Sequence, residues 1–531
     1  MQPTTSETRQ RYNDLPYSSY PYMHSAPEQL AAVASMFGLP SPDTATARVL
    51  ELGCASGGNL IPFALRNPRA TAVGLDISGV QVQAGRESIS RLGLDNISLR
   101  EADLQQLDPA SLGEFDYIIA HGVYSWVSPE TQEALLSIIH RCLAPDGVGF
   151  VSYNTYPGWK AKEIVRDAML MHSGVRSSAS EQVAYGRSML AFLQKVALKG
   201  SLVASAVNES LGQIMTLPAD YVAHDYLEPY NLPCYFHEFV ARAGKHSLAY
   251  LGEAQPSMMM PSSYHPELAQ QLYGALGEDQ VRVEQYLDFA IGRVFRQTLL
   301  VHADRAADLR WQLDLGTTHR LHYATRLSCA EGPIRLDGLP QEFVAPPNTG
   351  RFSVGLSGIK QAIDLLARTW PGTVTRDALV LHAELTQGDK DPVSTEVLGD
   401  AIDELLEMLV LRGMARAWLD PVEAGVDPGS LAIDPGVRRQ VAALSATQTH
   451  VANLWHDSVD VDAVDRLLFP MMDGNTSREA LIDAVRSGLG DGSLQPQVQA
   501  EVPVDPDAQA TQMVDAMLSK LRDLAVLERR A

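Results

Sequence analysis

The first residues able to do chemistry lie in one run, Val49-Leu50-Glu51-Leu52-Gly53-Cys54-Ala55-Ser56-Gly57-Gly58. The run leaves an apolar, strand-like stretch and enters a helix-like one. Glycines let the backbone turn sharply out of the strand and approach a ligand closely. The helix that follows presents its free N–H groups to whatever sits over the strand ends. Glu51 puts a carboxylate beside that turn. Two further acids stand at comparable places downstream. Asp76 ends Gly74-Leu75-Asp76-Ile77-Ser78, and Asp103 ends Glu101-Ala102-Asp103-Leu104. A carboxylate after the second strand can bind both hydroxyls of a ribose, and one after the third lies beside the place of an adenine. A glycine-rich strand-to-helix turn alone is shared with nicotinamide-dependent enzymes. The opening Glu51-Leu52-Gly53-Cys54 departs from their Gly-x-Gly.

Such residues need alternating strands and helices to hold them. Buried-strand patterns run over 47–52, 71–77, 97–103, 115–121 and 147–154, with helical patterns over 58–66, 79–92 and 129–143. Strands alternating with helices of this length predict an α/β fold with a parallel, doubly wound sheet. Ahead of it, residues 1–45 read as an irregular arm carrying Tyr12, Tyr17, Tyr20 and Tyr22, then a helix over Pro27–Phe37. From about 160 the pattern turns mainly helical, over 160–173, 180–198, 203–215, 233–244, 264–276 and 283–299. Short strand-like pieces follow at Leu321–Leu327 and Glu342–Val344, with a Pro346-Pro347 turn. Residues 357–430 read as three helices and a hairpin, a winged-helix-like module, and 435–531 as helical again with a Gly/Asp/Pro-rich break at 488–507. The expected division is an arm and helix (1–45), an α/β domain (46–175), a mainly helical domain (176–300), a winged-helix-like middle domain (301–435) and a C-terminal helical domain (436–531).

Composition sets the limits. A chain of 531 residues exceeds what one hydrophobic core supports. With 45% apolar and 20% charged residues it is neither disordered nor fibrous. No apolar run is long enough to cross a membrane, and the N-terminal residues lack a secretory apolar region. Four well-separated cysteines, Cys54, Cys142, Cys234 and Cys329, argue against a disulfide framework or zinc ribbon and fit a reducing cytoplasm. The net charge of -22 opposes binding to nucleic acid or anionic membranes and suits a cationic partner such as a lysine side chain.

Glu-x-Gly-x-x-x-Gly, an acid after the second strand and Asp-Leu after the third resemble the class I S-adenosylmethionine-dependent methyltransferases. The resemblance implies a Rossmann-like sheet with S-adenosyl-L-methionine as cofactor. It implies Glu51 and the Gly53–Gly57 turn at the methionine end, Asp76 on the ribose and Asp103 at the adenine amine. Tyr20, Cys54, Ala55, Ile77, Gln81, Leu104 and His121 are expected in the same pocket. Many members have glycine where Ala55 stands, so alanine suggests that the turn needs no left-handed backbone there. His121-Gly122-Val123-Tyr124-Ser125-Trp126-Val127, Val151-Ser152-Tyr153-Asn154-Thr155-Tyr156-Pro157-Gly158-Trp159 and His224-Asp225-Tyr226-Leu227-Glu228 extend the likeness. So do Tyr20-Pro21-Tyr22, Phe236-His237-Glu238-Phe239 and Glu284-Gln285-Tyr286-Leu287-Asp288-Phe289. Together they are similar to bacterial methyltransferases with a methyltransferase regulatory domain, among them rickettsial lysine methyltransferases that modify an outer-membrane protein. That likeness implies a homodimer.

His121, Tyr124, Trp126 and Asn154 are the candidate catalytic residues, since they follow the fourth and fifth strands. Aromatic faces attract sulfonium and ammonium cations by about 0.5–2 kcal/mol each. Tyr153, Tyr156, Trp159, His224, Tyr226 and His237 are the candidate acceptor-binding residues. Core packing is the competing reading for the aromatic ones. The histidines and acids at 224–238 lack a ligating spacing, so no metal site is expected. Three functions compete: methylation of a protein lysine, methylation of a small molecule, and a non-enzymatic cofactor sensor.

Overall fold

The computed structural model describes residues 5–174, 178–311, 313, 315–345, 350–387, 393–495 and 505–530. The Pro346-Pro347 turn and the 496–504 part of the 488–507 break lie outside these residues. Seven strands form the main sheet: β1 Arg48–Leu52, β2 Thr71–Asp76, β3 Ile97–Glu101, β4 Phe115–Ala120, β5 Leu143–Asn154, β6 Leu248–Glu253 and β7 Phe295–His302. Their order is β3-β2-β1-β4-β5-β7-β6. The first five run parallel, and β7 runs antiparallel to both β5 and β6. The order reverses between β1 and β4, where open α/β sheets bind ligands at the carboxyl ends of their strands.

Alternation along each strand divides the core. Val49, Ala72, Tyr117 and Phe150 pack on one face with α2 (Pro27–Met36), α3 (Leu60–Arg66) and α4 (Gly79–Leu92). Leu50, Leu75, Ile118 and Val151 pack on the other with α5 (Pro129–Cys142). Helix α4 starts where the Ser78 hydroxyl accepts the Gln81 N–H and stops at Gly93, whose φ of +63° reverses the chain. Every residue of α2 is buried. Its Ala32 and Met36 belong to the core of the following domain, which ties the two together.

The structure corrects the sequence reading in five places. The first ten described residues are helical, α1 (Thr5–Asp14), before the irregular arm begins. Residues 176–300 are not purely helical, because they supply β6 and β7 to the sheet. The pattern over 283–299 is a helix, Gln280–Ile291, that ends at Gly292 (φ +64°) and gives way to β7. The 357–430 module has its three helices, Ser357–Thr369, Arg376–Thr386 and Thr395–Leu411, but no hairpin among the described residues. Its sheet sets Val374–Thr375 and Arg416–Trp418 on either side of His322–Ala324. The C-terminal block also contains strands, a hairpin of His450–Ala452 with Ser458–Asp460. All four cysteines are free thiols.

The edge of the sheet is held by buried charge. Arg296, on β7, is fully buried and donates to Asp288 (2.8 Å), Glu253 (2.8 Å) and Glu284 (2.9 Å). Removing one partner of such a cluster leaves uncompensated buried charge. Arg296→Met is therefore expected to lower unfolding stability by about 3–5 kcal/mol in denaturant titrations. Arg335→Met, at an exposed ion pair, should change it by less than about 1 kcal/mol.

Candidate active site

The turn after β1 is tied down by β2. The Gly53 and Cys54 amides both donate to the Leu75 carbonyl, at 2.7 and 3.0 Å. Gly53 has φ +78°, and a Cβ there would sit 2.3 Å from Val123 Cγ2. Ala55 has φ +48°, so the expectation of a right-handed residue at that position was wrong. The conformation costs an alanine about 1–2 kcal/mol. An opposing contribution comes from its N–H, which donates to Asp76 Oδ2 at 2.8 Å. Asp76 Oδ1 accepts the Ser78 N–H at 2.8 Å. Burial raises the Asp76 carboxyl above the usual carboxylate range, while these amides pull it down.

Glu51 is only 4% exposed. Its Oε1 accepts from Asn59 Nδ2 at 2.9 Å, and its Oε2 has no partner among the described residues. Burial pushes this carboxyl from the ordinary 4.5 up to about 8, helped by the nearby Asp76 charge. Asp103, after β3, accepts from the Gln105 N–H and from Gln106 Nε2, both at 3.0 Å.

These residues face a cavity of about 600 Å³. Of the sequence-derived candidates, Tyr20, Glu51, Gly53, Cys54, Ala55, Asp76, Ile77, Gln81, Asp103, Leu104, His121, Trp126 and His224 line it. His121 stacks on Tyr22 with ring centroids 4.1 Å apart and meets Ser152 Oγ through Nδ1 at 3.1 Å. Burial lowers its pKa to about 4, so its ring is neutral at pH 7.

The other candidates do not reach the wall. Gly57 (φ +77°) shapes the turn from beneath. Tyr124 and Tyr153 are core residues packed on Phe239: Tyr153 points to the opposite sheet face from its neighbour Ser152, and Tyr124 turns inward from the short helical turn Tyr124–Trp126. Asn154 is buried against Asn231, and its N–H is held by Ser125 Oγ at 2.8 Å. Tyr156 donates to Glu163, and Trp159 packs edge-on against Trp126. Tyr226 is buried, and its carbonyl accepts from Arg166. His237 bonds Gln285 at 2.8 Å.

Sequence reasoning missed Tyr12, Tyr17, Asn59, Asp225 and Tyr230, all of which line the cavity. The tyrosine-rich arm was the available signal for the first two. The arm lies across the site. Gln81 Nε2 donates to the Tyr17 carbonyl (2.7 Å), and the Gly58 N–H donates to Ser19 Oγ (2.8 Å). Gly58 permits this approach, since a Cβ would sit 2.4 Å from the Ser19 carbonyl oxygen. Tyr12 stacks on His224, whose Nδ1 meets Glu228 (3.0 Å) and whose Nε2 meets the Leu15 carbonyl (2.9 Å).

Family models match in three blocks: a methyltransferase domain over 49–147, a predicted methyltransferase regulatory domain over 218–302 and a PKMT C-terminal winged helix domain over 433–526. The uncharacterized protein RP789 of Rickettsia prowazekii is 30% identical over 496 residues, 91% of this chain and 87% of that protein. The chain belongs to the class I methyltransferases that carry a methyltransferase regulatory domain.

This methyltransferase is also similar to PKMT2 from Rickettsia typhi, at 25% identity and a TM-score of 0.83, covering 96% of this chain and 100% of that one. One structure of that protein is its complex with AdoHcy. A trans-aconitate 2-methyltransferase of Deinococcus radiodurans is 31% identical over 108 residues, 20% of this chain and 38% of that enzyme. The winged helix match falls on the C-terminal block, outside the 357–430 module expected to have that shape.

S-adenosylmethionine is the cofactor of this methyltransferase, and the cavity suits it. The unpartnered Glu51 oxygen is an acceptor for an ammonium group, and both Asp76 oxygens keep a lone pair for a hydroxyl. In the ligand-free enzyme Glu51 stabilises the fold below its ordinary pKa of 4.5, and this stability is lost as pH rises through about 8. Urea unfolding at pH 5.5 and 8.5 should show Glu51→Gln gaining stability relative to the native enzyme at the higher pH.

Proposed function

We propose that this methyltransferase transfers the methyl group of S-adenosylmethionine to an amine, the side chain of an exposed lysine on a protein. Glu51 and the turn to Gly57 hold the methionine end, Asp76 the ribose and Asp103 the adenine. The observation that carries the amine reading is the part of the cavity lining supplied by the arm and residues 224–230. There Asp225 stands with Tyr17, Tyr230 and His224, a carboxylate among aromatic rings that suits an ammonium group. Burial raises Asp225 to about 6, and the Tyr221 hydroxyl donates to it. A lysine ammonium, ordinarily near pKa 10.4, must lose a proton before attack. A carboxylate of raised pKa beside it is placed to hold the ammonium and accept that proton. Transfer itself is an in-line displacement that depends on alignment and exclusion of water. Trp126 and the neutral His121 ring supply wall on the cofactor side. The likeness to PKMT2 over the whole chain supports a protein acceptor.

A small-molecule acceptor is favoured by one feature, the arm carrying Tyr12, Tyr17 and Tyr20 across the cavity, past which a protein lysine must reach. Radiolabelled S-adenosylmethionine in size-fractionated lysate separates the two readings. Label in protein that survives hydrolysis as methyl-lysine is expected. Asp76→Ala should abolish it, and Asp225→Asn should reduce it by about tenfold or more. Label confined to small molecules would overturn the protein reading and leave the cofactor assignment intact.

We also propose a cytoplasmic homodimer. Free cysteines fit a reducing compartment. Helices Ala179–Val196 and Leu202–Thr216 expose Phe192, Val196, Leu198, Leu202 and Met215, and the loop between them is short. Leu198 and Leu202 are 80% and 78% exposed, a contiguous apolar patch of the kind that marks an interface. Sedimentation at several concentrations should show a dimer, and Leu198→Asp with Leu202→Asp should shift it to monomer without loss of cofactor binding.

A further inference from the structure

The hydrogen-bond chain that ends at Glu51 begins in the C-terminal block. Between the strands of the 450–460 hairpin, His456 has φ +60°. Histidine in the left-handed region is strained, and such outliers persist where the surroundings over-determine them. Here Asn453 Oδ1 accepts the N–H groups of Trp455 (2.8 Å) and Asp457 (2.9 Å) and holds the turn. The turn projects a fully buried imidazole into the cofactor domain. Its Nδ1 lies 3.3 Å from Arg66 Nη2 and its Nε2 lies 3.0 Å from Asn59 Oδ1. A guanidinium only donates and an amide oxygen only accepts, so the ring is the neutral Nε2–H form. Burial beside Arg66 lowers its pKa to about 3, which keeps it neutral. Arg66 is fixed in turn by Glu28, at 2.9 and 3.1 Å.

Asn59 precedes α3, where an asparagine normally accepts a helix N–H. It makes no such bond. Its Oδ1 is committed to the Tyr22 N–H (3.0 Å), the Ser25 hydroxyl (3.3 Å) and the His456 ring, and the main-chain N–H, which can only donate, identifies that atom as the oxygen. Nδ2 is thereby turned onto Glu51 Oε1, leaving Oε2 unpartnered in the cavity wall. A second histidine of the same hairpin, His450, packs edge-on against Tyr20 at 4.5 Å.

We infer that His456 is a positioning residue for the cofactor: by fixing the Asn59 amide it aims the free oxygen of Glu51 at the ammonium of S-adenosylmethionine, so that cofactor affinity depends on the docked C-terminal block. The inference rests on the assignment of Glu51 to that ammonium. Linkage makes the dependence mutual: a bound cofactor stabilises the docked hairpin as much as the hairpin stabilises the cofactor.

The test is calorimetric titration of the full chain with AdoHcy and with 5′-methylthioadenosine, which lacks the amino-acid end. His456→Asn tolerates the left-handed backbone, and His456→Gly removes its strain, so at least one folded variant is expected. Both should raise the AdoHcy Kd by about tenfold and leave the methylthioadenosine Kd unchanged. Glu51→Gln should give the same split, and adding His456→Asn to it should cost nothing further. Equal weakening of both ligands, or of neither, by the His456 variants would mark a merely structural role and overturn the inference. If Glu51→Gln itself shows no split, the assignment of Glu51 fails and the inference falls with it.

Discussion

One side-chain amide, that of Asn59, joins four separate parts of this molecule. It takes a main-chain N–H from the arm, a hydroxyl from the turn before α2 and an imidazole from the C-terminal block, and gives its own N–H to Glu51. A buried polar group in a region of low dielectric is costly when half-satisfied and strongly orienting when fully satisfied. The helix after Asn59 forgoes its cap bond, worth about 1 kcal/mol, for this arrangement. The Glu51 side of the cavity is therefore tied to the arm and to the C-terminal block, whose bonding residues, Tyr22 and His456, lie hundreds of positions apart.

The sheet supplies what the amide orients. Carboxylates follow three adjacent strands of one sheet because β1, β2 and β3 run side by side. The turn after β1 reaches them only through left-handed backbone at Gly53, Ala55 and Gly57. Strand β7 pairs with β5 from Gly149 to Asn154, and the buried Arg296 cluster fixes it there. The regulatory segment is thus structural as well as a wall, since its strands complete the sheet and its Asp225 faces the cavity.

The first five strands and the cofactor residues were legible because their signals are local. Each strand is a short buried run between turn residues, and Glu51, Asp76 and Asp103 sit at strand ends. Strand β7 was hidden because it follows a helix after only Gly292-Arg293-Val294, so two apolar patterns merged into one. Helix α1 was hidden because its sequence, TSETRQRYND, has no apolar face to detect. Tyr124 and Tyr153 were drawn toward the site by residue type, whereas strand alternation buries Tyr153 on the other side and a short helical turn buries Tyr124 beside it. Ala55 was misjudged because a side chain's presence does not reveal that a hydrogen bond holds its backbone left-handed. Asp225 and His456 reach the cavity region from 149 and 380 positions beyond Asp76, and only the folded chain shows such meetings.

The separation between Asn59 and His456, 397 positions along the chain, also has a consequence in time. Ribosomes add about 5–20 residues per second. Roughly 20–80 s therefore separate the synthesis of Asn59 from that of the imidazole that meets it. During that interval the open edge of β5 must also wait for β7, and Glu51 lacks its full support. A block synthesised late thus completes the hydrogen bonding of a domain synthesised early.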